Sequence, residues 1–295
     1  MSSTNRPLIM VKDWRGPGKW TQADLAREAD WVSINPAWPG APIPGAVTLV
    51  GVPPAYITYE GEPAGALADI GREAIRRGYD LFEVTQASGF VKSQRIPTWV
   101  NGVQATWALN MARMEVATWY GAALVKALPW VDGFHIDYWT SLGWLFDGGW
   151  GPMEGAQGVA YPDTFWPQFD NGLGRMAHTI RRMRPGRPTI LIGQQWQNAT
   201  RWKDGELTGR FVEEYPSRWC GPVPWKKYND DQFAAFKLMN ADPSNVRHVM
   251  ELRFPGLHST AYVQDVLHYC IDRGYVLSWG EDAASGYGVP LYVGG

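Results

Sequence analysis

The chain has 295 residues, 45% hydrophobic and 19% charged, so it is long enough and apolar enough to bury a full core. Its net charge of -2 excludes the basic surface that binds nucleic acid or anionic membranes, and no run approaches the roughly 20 apolar residues of a membrane span. The first residues lack the charged and apolar regions of a secretory signal. We therefore expect a soluble protein, either cytoplasmic or released or virion-associated by another route.

Short apolar runs bounded by turn residues predict eight strands. In chain order they are Leu8–Trp14, Trp31–Asn35, Asp80–Gln86, Gly133–Tyr138, Pro188–Gln194, Gly209–Tyr215, Arg247–Phe254 and Tyr275–Trp279. A ninth run, Ala46–Val52, follows the second strand after a Pro- and Gly-rich turn that is too short for a crossover helix. This run is interpreted as an extra strand or a loop insertion.

Helices are predicted between these strands. Thr21 and Asp24 form a capping-box pattern that starts a helix through Ala29. Helical spacing also covers residues 66–77, with Gly78 as the C-cap, residues 103–128, residues 165–183 and a face from Tyr262 to Cys270.

The alternation of strands and helices predicts an α/β protein built as one (β/α)8 TIM barrel. The whole chain, residues 1–295, is expected to form a single catalytic domain. Residues 280–295 contain Gly, Ser and Pro but little helical pattern, so the final helix is expected to be incomplete or replaced. In such barrels the active site lies at the C-terminal ends of the strands.

Acidic residues stand at the ends of the predicted fourth and sixth strands. Residues 131–139 read Val-Asp-Gly-Phe-His-Ile-Asp-Tyr-Trp, which places Asp137 after an apolar run, and residues 209–216 carry Glu213 and Glu214. A carboxylate at the end of a buried strand is costly unless it is paired, hydrogen-bonded or used in chemistry. Because side chains alternate along a strand, only one of the two glutamates is expected to point into the barrel mouth. Glu213 is favoured, although alternation alone does not choose between them.

Aromatic residues accompany these carboxylates. The chain has 17 Trp, a residue that is rarely fully buried, so several are expected to line a wide groove. Aromatic rings stack on sugar faces, while a carboxylate stabilises or attacks the cationic anomeric carbon. We therefore predict a glycosidase that binds a carbohydrate substrate and uses Asp137, Glu213 and Glu214 as its catalytic candidates. The substrate-binding candidates near strand ends are Asp13, Trp14, His135, Tyr138, Trp139, Gln194, Trp196, Glu251 and Trp279.

The runs Asp-Gly-Phe-His-Ile-Asp-Tyr-Trp and Gly-Arg-Phe-Val-Glu resemble the strand-four and strand-six signatures of TIM-barrel glycoside hydrolase families. These families include hypothetical glycosyl hydrolases related to endo-α-1,4-polygalactosaminidase and, more distantly, α-galactosidase-like barrels. The resemblance implies that Asp137 is the nucleophile or base and Glu213 the general acid. It also implies carboxyl groups about 5–5.5 Å apart and a retaining reaction.

Each candidate has a structural alternative. Asp137 could cap a loop or pair with an arginine. Glu213 or Glu214 could pair with Arg210 or Arg218, and Glu251 could pair with Arg253 on its own strand face.

Other classes of function receive less support. His135 and Asp137 form an HxD pair, but no further metal-ligand spacing and no nucleotide fingerprint accompany it, so we predict neither a metal nor a cofactor. A metal-dependent hydrolase or deacetylase is the weakest alternative. A non-catalytic carbohydrate-binding barrel in a phage or cell-surface assembly is the stronger one. The sequence specifies neither the sugar and linkage nor the oligomeric state.

Overall fold

The computed structural model describes residues 8–13, 21–35, 40–52, 56–58, 65–82, 94–95, 97–100, 103–136, 165–186, 189–194, 207–215, 224–238, 247–252 and 260–279. Thirteen strands lie in these ranges: β1 Ile9–Asp13, β2 Trp31–Ile34, β3 Val47–Val52, β4 Tyr56–Thr58, β5 Leu81–Phe82, β6 Gln94–Arg95, β7 Pro97–Val100, β8 Val103–Ala108, β9 Gly133–Ile136, β10 Ile190–Gln194, β11 Gly209–Tyr215, β12 Arg247–Leu252 and β13 Val276–Trp279. The helices are α1 Gln22–Glu28, α2 Ala66–Arg76, α3 Met114–Ala127, α4 Phe165–Arg182, α5 Trp225–Leu238 and α6 Thr260–Asp272.

Eight parallel strands close into a barrel in the order β1-β2-β3-β9-β10-β11-β12-β13, and β13 pairs back with β1. A helix precedes β2, β9, β10, β12 and β13 in the chain, so the outer wall is helical where these connections run. The predicted (β/α)8 barrel is confirmed. The fourth and sixth barrel strands are the predicted ones, β9 and β11. The segment after β13, where we predict an incomplete final helix, lies outside the described residues.

The prediction that residues 80–86 form the third barrel strand was wrong. Leu81–Phe82 pairs antiparallel with Gln94–Arg95 in a separate two-stranded sheet, and the run interpreted as an extra strand, Val47–Val52, is the third barrel strand. The chain crosses from β2 to β3 in residues 35–46. Ile43 in this connection is fully buried in the core, and its N–H donates to Thr48 Oγ1 at 2.9 Å. A buried side chain on a loop thus covers the barrel between β2 and β3.

The long helix predicted over residues 103–128 was also partly wrong. Val103–Ala108 is β8, the central strand of an antiparallel sheet with β4 and β7, and the helix begins only at Met114. The strand contains Val103, Thr106 and Trp107, residue types that favour extended backbone, so the local preference decides against the helix. This sheet lies between β3 and β9 in the chain, and the sequence patterns did not predict it.

The other predicted helices are confirmed in their cores. Thr21 Oγ1 accepts from the Asp24 N–H at 3.1 Å, and Asp24 Oδ2 accepts from the Thr21 N–H at 3.1 Å, which completes the capping box of α1. Gly78 follows the last turn of α2 with φ of 69°, a conformation that favours glycine. No described helix combines the length and the apolar character that crossing a bilayer requires.

Candidate active site at the carboxyl ends of the barrel strands

Residues from seven strands pack together inside the barrel. They are Met10, Trp31, Leu49, Ile192, Phe211, Val249 and Val276. The opposite strand faces, such as Val11, Val32 and Val50, pack in the layer that includes the helices. Because strand side chains alternate, these contacts fix which backbone positions face the barrel interior.

The interior turns polar one pleat repeat further toward the carboxyl ends. The next positions on the interior face are Lys12, Ser33, Gly51, His135, Gln194, Glu251 and Ser278. Lys12, Ser33, His135 and Ser278 are all buried. Burying polar groups inside a barrel costs free energy unless they form hydrogen bonds or ion pairs. Such a buried polar layer is typical of the floor of an active site.

His135 is held from two sides in this layer. Ser33 Oγ lies 3.0 Å from His135 Nδ1, although β3 separates their strands in the barrel. Gly51 of β3 stands opposite His135 in the register, and its missing side chain leaves the space in which the two groups meet. On the other side, the His135 and Phe211 rings pack with centroids 4.4 Å apart.

Lys12 completes this floor. Its side chain is 7% exposed, and Nζ lies 5.3 Å from the centroid of the Phe211 ring. Because β12 and β13 lie between β1 and β11, the lysine side chain must cross the barrel interior to make this contact. Lys12, Ser33, His135 and Phe211 are called the floor cluster below.

A register shift interrupts β11 at the two candidate acids. Val212 pairs with Met250 and Tyr215 with Leu252, so Glu213 and Glu214 together stand opposite Glu251. This two-to-one pairing is a β-bulge, a feature that is common next to active sites and changes the direction of side chains. The simple alternation of side chains from which the orientation of the two glutamates was predicted is therefore broken. Which glutamate serves as the acid stays a prediction.

The strand ends bring most of the predicted site positions to one end of the barrel. The backbones of Asp13, Gln194, Glu213, Glu214, Glu251 and Trp279 lie at or near the last residues of their strands. The fourth barrel strand ends at Ile136, directly before Asp137. Five predicted residues lie outside the described residues: Trp14, Asp137, Tyr138, Trp139 and Trp196.

The structure describes the surroundings of three predicted positions. His135, predicted to bind substrate, is fully buried and engaged with Ser33 and Phe211. On β1 and β13 the interior positions belong to Lys12 and Ser278, the neighbours of Asp13 and Trp279. The substrate-binding roles of His135, Asp13 and Trp279 stay predictions.

Sequence reasoning missed Lys12, Ser33 and Phe211. The signal was the spacing of two from Met10 to Lys12 and from Trp31 to Ser33, which places each polar residue on the face of a core residue. This spacing identifies the buried polar residues only when it is known which face of each strand points into the barrel.

Arg210 occupies the outer face of β11. It is buried, it pairs in register with His248, and burial lowers the pKa of its guanidinium to about 10, with Tyr228 and Tyr275 acting in the opposite direction. Backbone alternation therefore separates Arg210 from the face of Phe211. A pairing of Arg210 with Glu213 or Glu214 stays the structural alternative for these acids.

Within the described ranges, no three His, Cys, Asp or Glu side chains lie together so that they could hold a metal ion.

No protein-family model matches the sequence, and no curated protein sequence matches it either. Solved structures do match its fold. A GH31 dextranase from Flavobacterium johnsoniae, solved with isomaltotriose, aligns with a TM-score of 0.55 at 12% identity over 95% of this chain and 36% of its own. A GH31 sulfoquinovosidase from E. rectale, solved with an aza-sugar inhibitor, aligns with a TM-score of 0.54 at 10% identity over 93% of this chain and 43% of its own. This chain therefore spans less than half the length of these hydrolases, and the likeness is one of fold.

Proposed function

We propose that this protein is a glycoside hydrolase that cleaves an oligosaccharide or polysaccharide with two carboxyl groups at the mouth of its barrel. The observation that carries the proposal is the position of β9 and β11. These are the fourth and sixth strands of a closed parallel barrel, and their carboxyl ends lead to Asp137 and contain the Glu213–Glu214 bulge. The similarity in fold to hydrolases solved with sugar ligands supports the same conclusion.

The two carboxyl groups would take different roles. An oxocarbenium-like transition state needs one ionised carboxylate near the anomeric carbon and one protonated carboxyl group that gives its proton to the leaving oxygen. We assign the first role to Asp137 and the second to Glu213, with Glu214 as the alternative. A separation of about 5–5.5 Å between the groups would give retention of configuration, the outcome we favour, and ~6.5–9.5 Å would give inversion.

Aromatic residues after the strand ends would supply the binding groove. Trp139 and Tyr138 follow Asp137 directly, and Trp14 and Trp196 follow β1 and β10. A sugar ring stacked on one of these faces loses its contact when the ring is removed, so Trp139→Ala should weaken glycan binding by about 1 kcal/mol or more. We further propose that residues 1–295 act as one catalytic domain.

The test compares hydrolysis of glycans with binding of glycans in wild type and in the Asp137→Asn variant. Reducing-sugar release would be measured on a glycan panel that includes isomaltotriose, with wild type and Asp137→Asn. The matched control is Asp69→Asn, which changes an exposed carboxylate on α2. We expect the Asp137 variant to stay folded and bind glycan but to lose hydrolysis, while the control retains it.

The second candidate function is a carbohydrate-binding barrel without turnover, which the same floor and groove could support. Glycan binding without hydrolysis by the wild-type chain would favour it. Full activity of Asp137→Asn would refute the catalytic assignment.

A further inference from the structure

The side chain of His135 contacts strands that lie beyond both neighbours of its own strand. In the barrel, β9 pairs with β3 on one side and with β10 on the other. Past β3, Ser33 Oγ of β2 lies 3.0 Å from His135 Nδ1. Past β10, the Phe211 ring of β11 packs on the imidazole with centroids 4.4 Å apart. One side chain therefore connects β9 with both β2 and β11.

These contacts are closed off from solvent. Ser33, His135 and Phe211 are each 0% exposed. Because bulk water cannot take the place of a buried partner, removing the Ser33 hydroxyl takes away a contact that the solvent does not restore. Buried side chains in a close-packed interior also have few alternative positions. The imidazole is therefore held in one place inside the barrel.

The two rings in contact belong to the strands that lead to the candidate catalytic residues. His135 is the last residue but one of β9, and Asp137 is the first residue after this strand in the sequence. Phe211 directly precedes Val212, the last residue of β11 that pairs regularly with β12 before the bulge. The contact between the rings therefore fixes the backbones of β9 and β11 relative to each other close to both carboxyl ends.

We propose that His135 is a positioning residue for the proposed hydrolysis: together with Ser33 and Phe211 it sets the separation between the carboxyl ends of the fourth and sixth barrel strands. The inference rests on the proposed function. The distance between two catalytic carboxyl groups decides the course of glycoside cleavage, and a displacement of about 1 Å can slow a reaction by about 10²-fold. A side chain that holds these strands without touching the substrate should therefore affect kcat and leave KM nearly unchanged.

The experiment measures kcat and KM separately on the glycan of the panel that the wild-type chain cleaves. Ser33→Ala removes the hydroxyl, and His135→Phe keeps a ring beside Phe211 but removes Nδ1. Each variant should lower kcat by about 10-fold to 100-fold and change KM by less than about twofold. Because both substitutions remove the same contact, the double variant should lose little more than the larger single loss. Ser33→Ala carries the test alone if His135→Phe does not fold, since it removes a single oxygen atom.

The matched control removes a contact between strands at the opposite end of the barrel. Thr208 Oγ1 accepts from the Leu191 N–H at 2.8 Å where β10 and β11 begin, so Thr208→Ala should lower stability and leave kcat within about twofold of wild type.

Three results overturn the inference. They are an unchanged kcat in folded Ser33→Ala, an equal loss of kcat in Thr208→Ala, which would reflect general destabilisation, and a raised KM at unchanged kcat, which would make His135 a substrate ligand. A wild-type chain that cleaves no glycan instead overturns the proposed function, and the inference with it.

Discussion

Ser33 and His135 are 102 residues apart in the chain, yet Ser33 Oγ lies 3.0 Å from His135 Nδ1 inside the barrel. Both residues are fully buried, so neither group can exchange this partner for bulk water. The contact joins the second and fourth barrel strands across Gly51 and fixes the imidazole two residues before Asp137.

The first prediction compares two buried serines on the interior face. Ser33→Ala removes a partner from a buried imidazole, and we expect a loss of about 1–3 kcal/mol in the free energy of unfolding. Ser278 Oγ makes no hydrogen bond within the part of the chain that the structure describes, so Ser278→Ala should be close to neutral or stabilising. Urea unfolding of both variants checks this. Equal losses would show that the Ser33 contact adds no stability.

The second prediction identifies the acid. Glu213→Gln and Glu214→Gln would each be assayed on a natural glycan and on a 4-nitrophenyl glycoside. Loss of a general acid slows cleavage of the natural glycan by roughly 10²–10⁴-fold and affects the activated substrate much less, since its leaving group needs little protonation. We expect this split for Glu213. The same split in Glu214→Gln alone would assign the acid to the second bulge residue, and small equal losses in both would remove the role from the bulge.

The third prediction concerns the close approach of α4 to the turn before α3. A Cβ on Gly172 would lie 1.7 Å from the carbonyl oxygen of Met111, which is backbone and cannot move aside. Gly172→Ala should therefore destabilise the fold by about 3 kcal/mol or more. Gly186 has φ of 72°, and no atom lies within 4 Å of the position that a methyl group would take there, so Gly186→Ala should cost only about 1–2 kcal/mol. Thermal unfolding would rank the two, and a reversed order would refute the packing argument.

The fourth prediction concerns the contact between α5 and the end of α6. Arg273 donates to both carboxylate oxygens of Asp230, at 2.7 and 3.0 Å, and the Tyr269 hydroxyl donates to Oδ1 at 2.7 Å. These bonds, the Arg273 bond above all, lower the pKa of Asp230. A lowered pKa stabilises the fold above the unfolded-state value of about 3.9, and this stabilisation is lost as the pH falls through the folded-state value.

Urea unfolding at pH 7, 5 and 3 tests this contact. The stability difference between wild type and Asp230→Asn should be present at pH 7 and should shrink at pH 3. Because the pair is partly exposed, we expect it to stay below about 1 kcal/mol. Asp231→Asn, which removes an exposed pair with Lys227, should change stability by less than about 0.5 kcal/mol at every pH. A difference that grows toward acid pH would contradict the sign.

Much of the barrel could be predicted from the sequence because its strands are apolar runs of the right length. The strands β9 and β11 were found from their own residues, and so was the capping box of α1. The third strand was misassigned because the rule used was local. A parallel connection was expected to need a helix, whereas only twelve residues join β2 to β3, and Ile43 among them is buried.

The floor cluster could not be predicted from the sequence because its contacts are between distant strands. Lys12 and Phe211 are about two hundred positions apart, and their contact depends on barrel closure and strand tilt, which local patterns do not encode. The bulge at Glu213 and Glu214 is equally invisible, since it exists only relative to Met250 and Leu252 on the partner strand. Two consecutive glutamates in a sequence do not by themselves indicate a register shift between strands.

The pairing of β1 with β13 has a consequence for synthesis. Ile9 pairs with Leu277, so the ribosome must complete nearly the whole barrel before its first strand meets its final neighbour. Until then the growing sheet keeps two open edges whose amide and carbonyl groups can pair with other chains. A nascent chain that stops before residue 276 leaves β1 without this neighbour and is therefore exposed to aggregation.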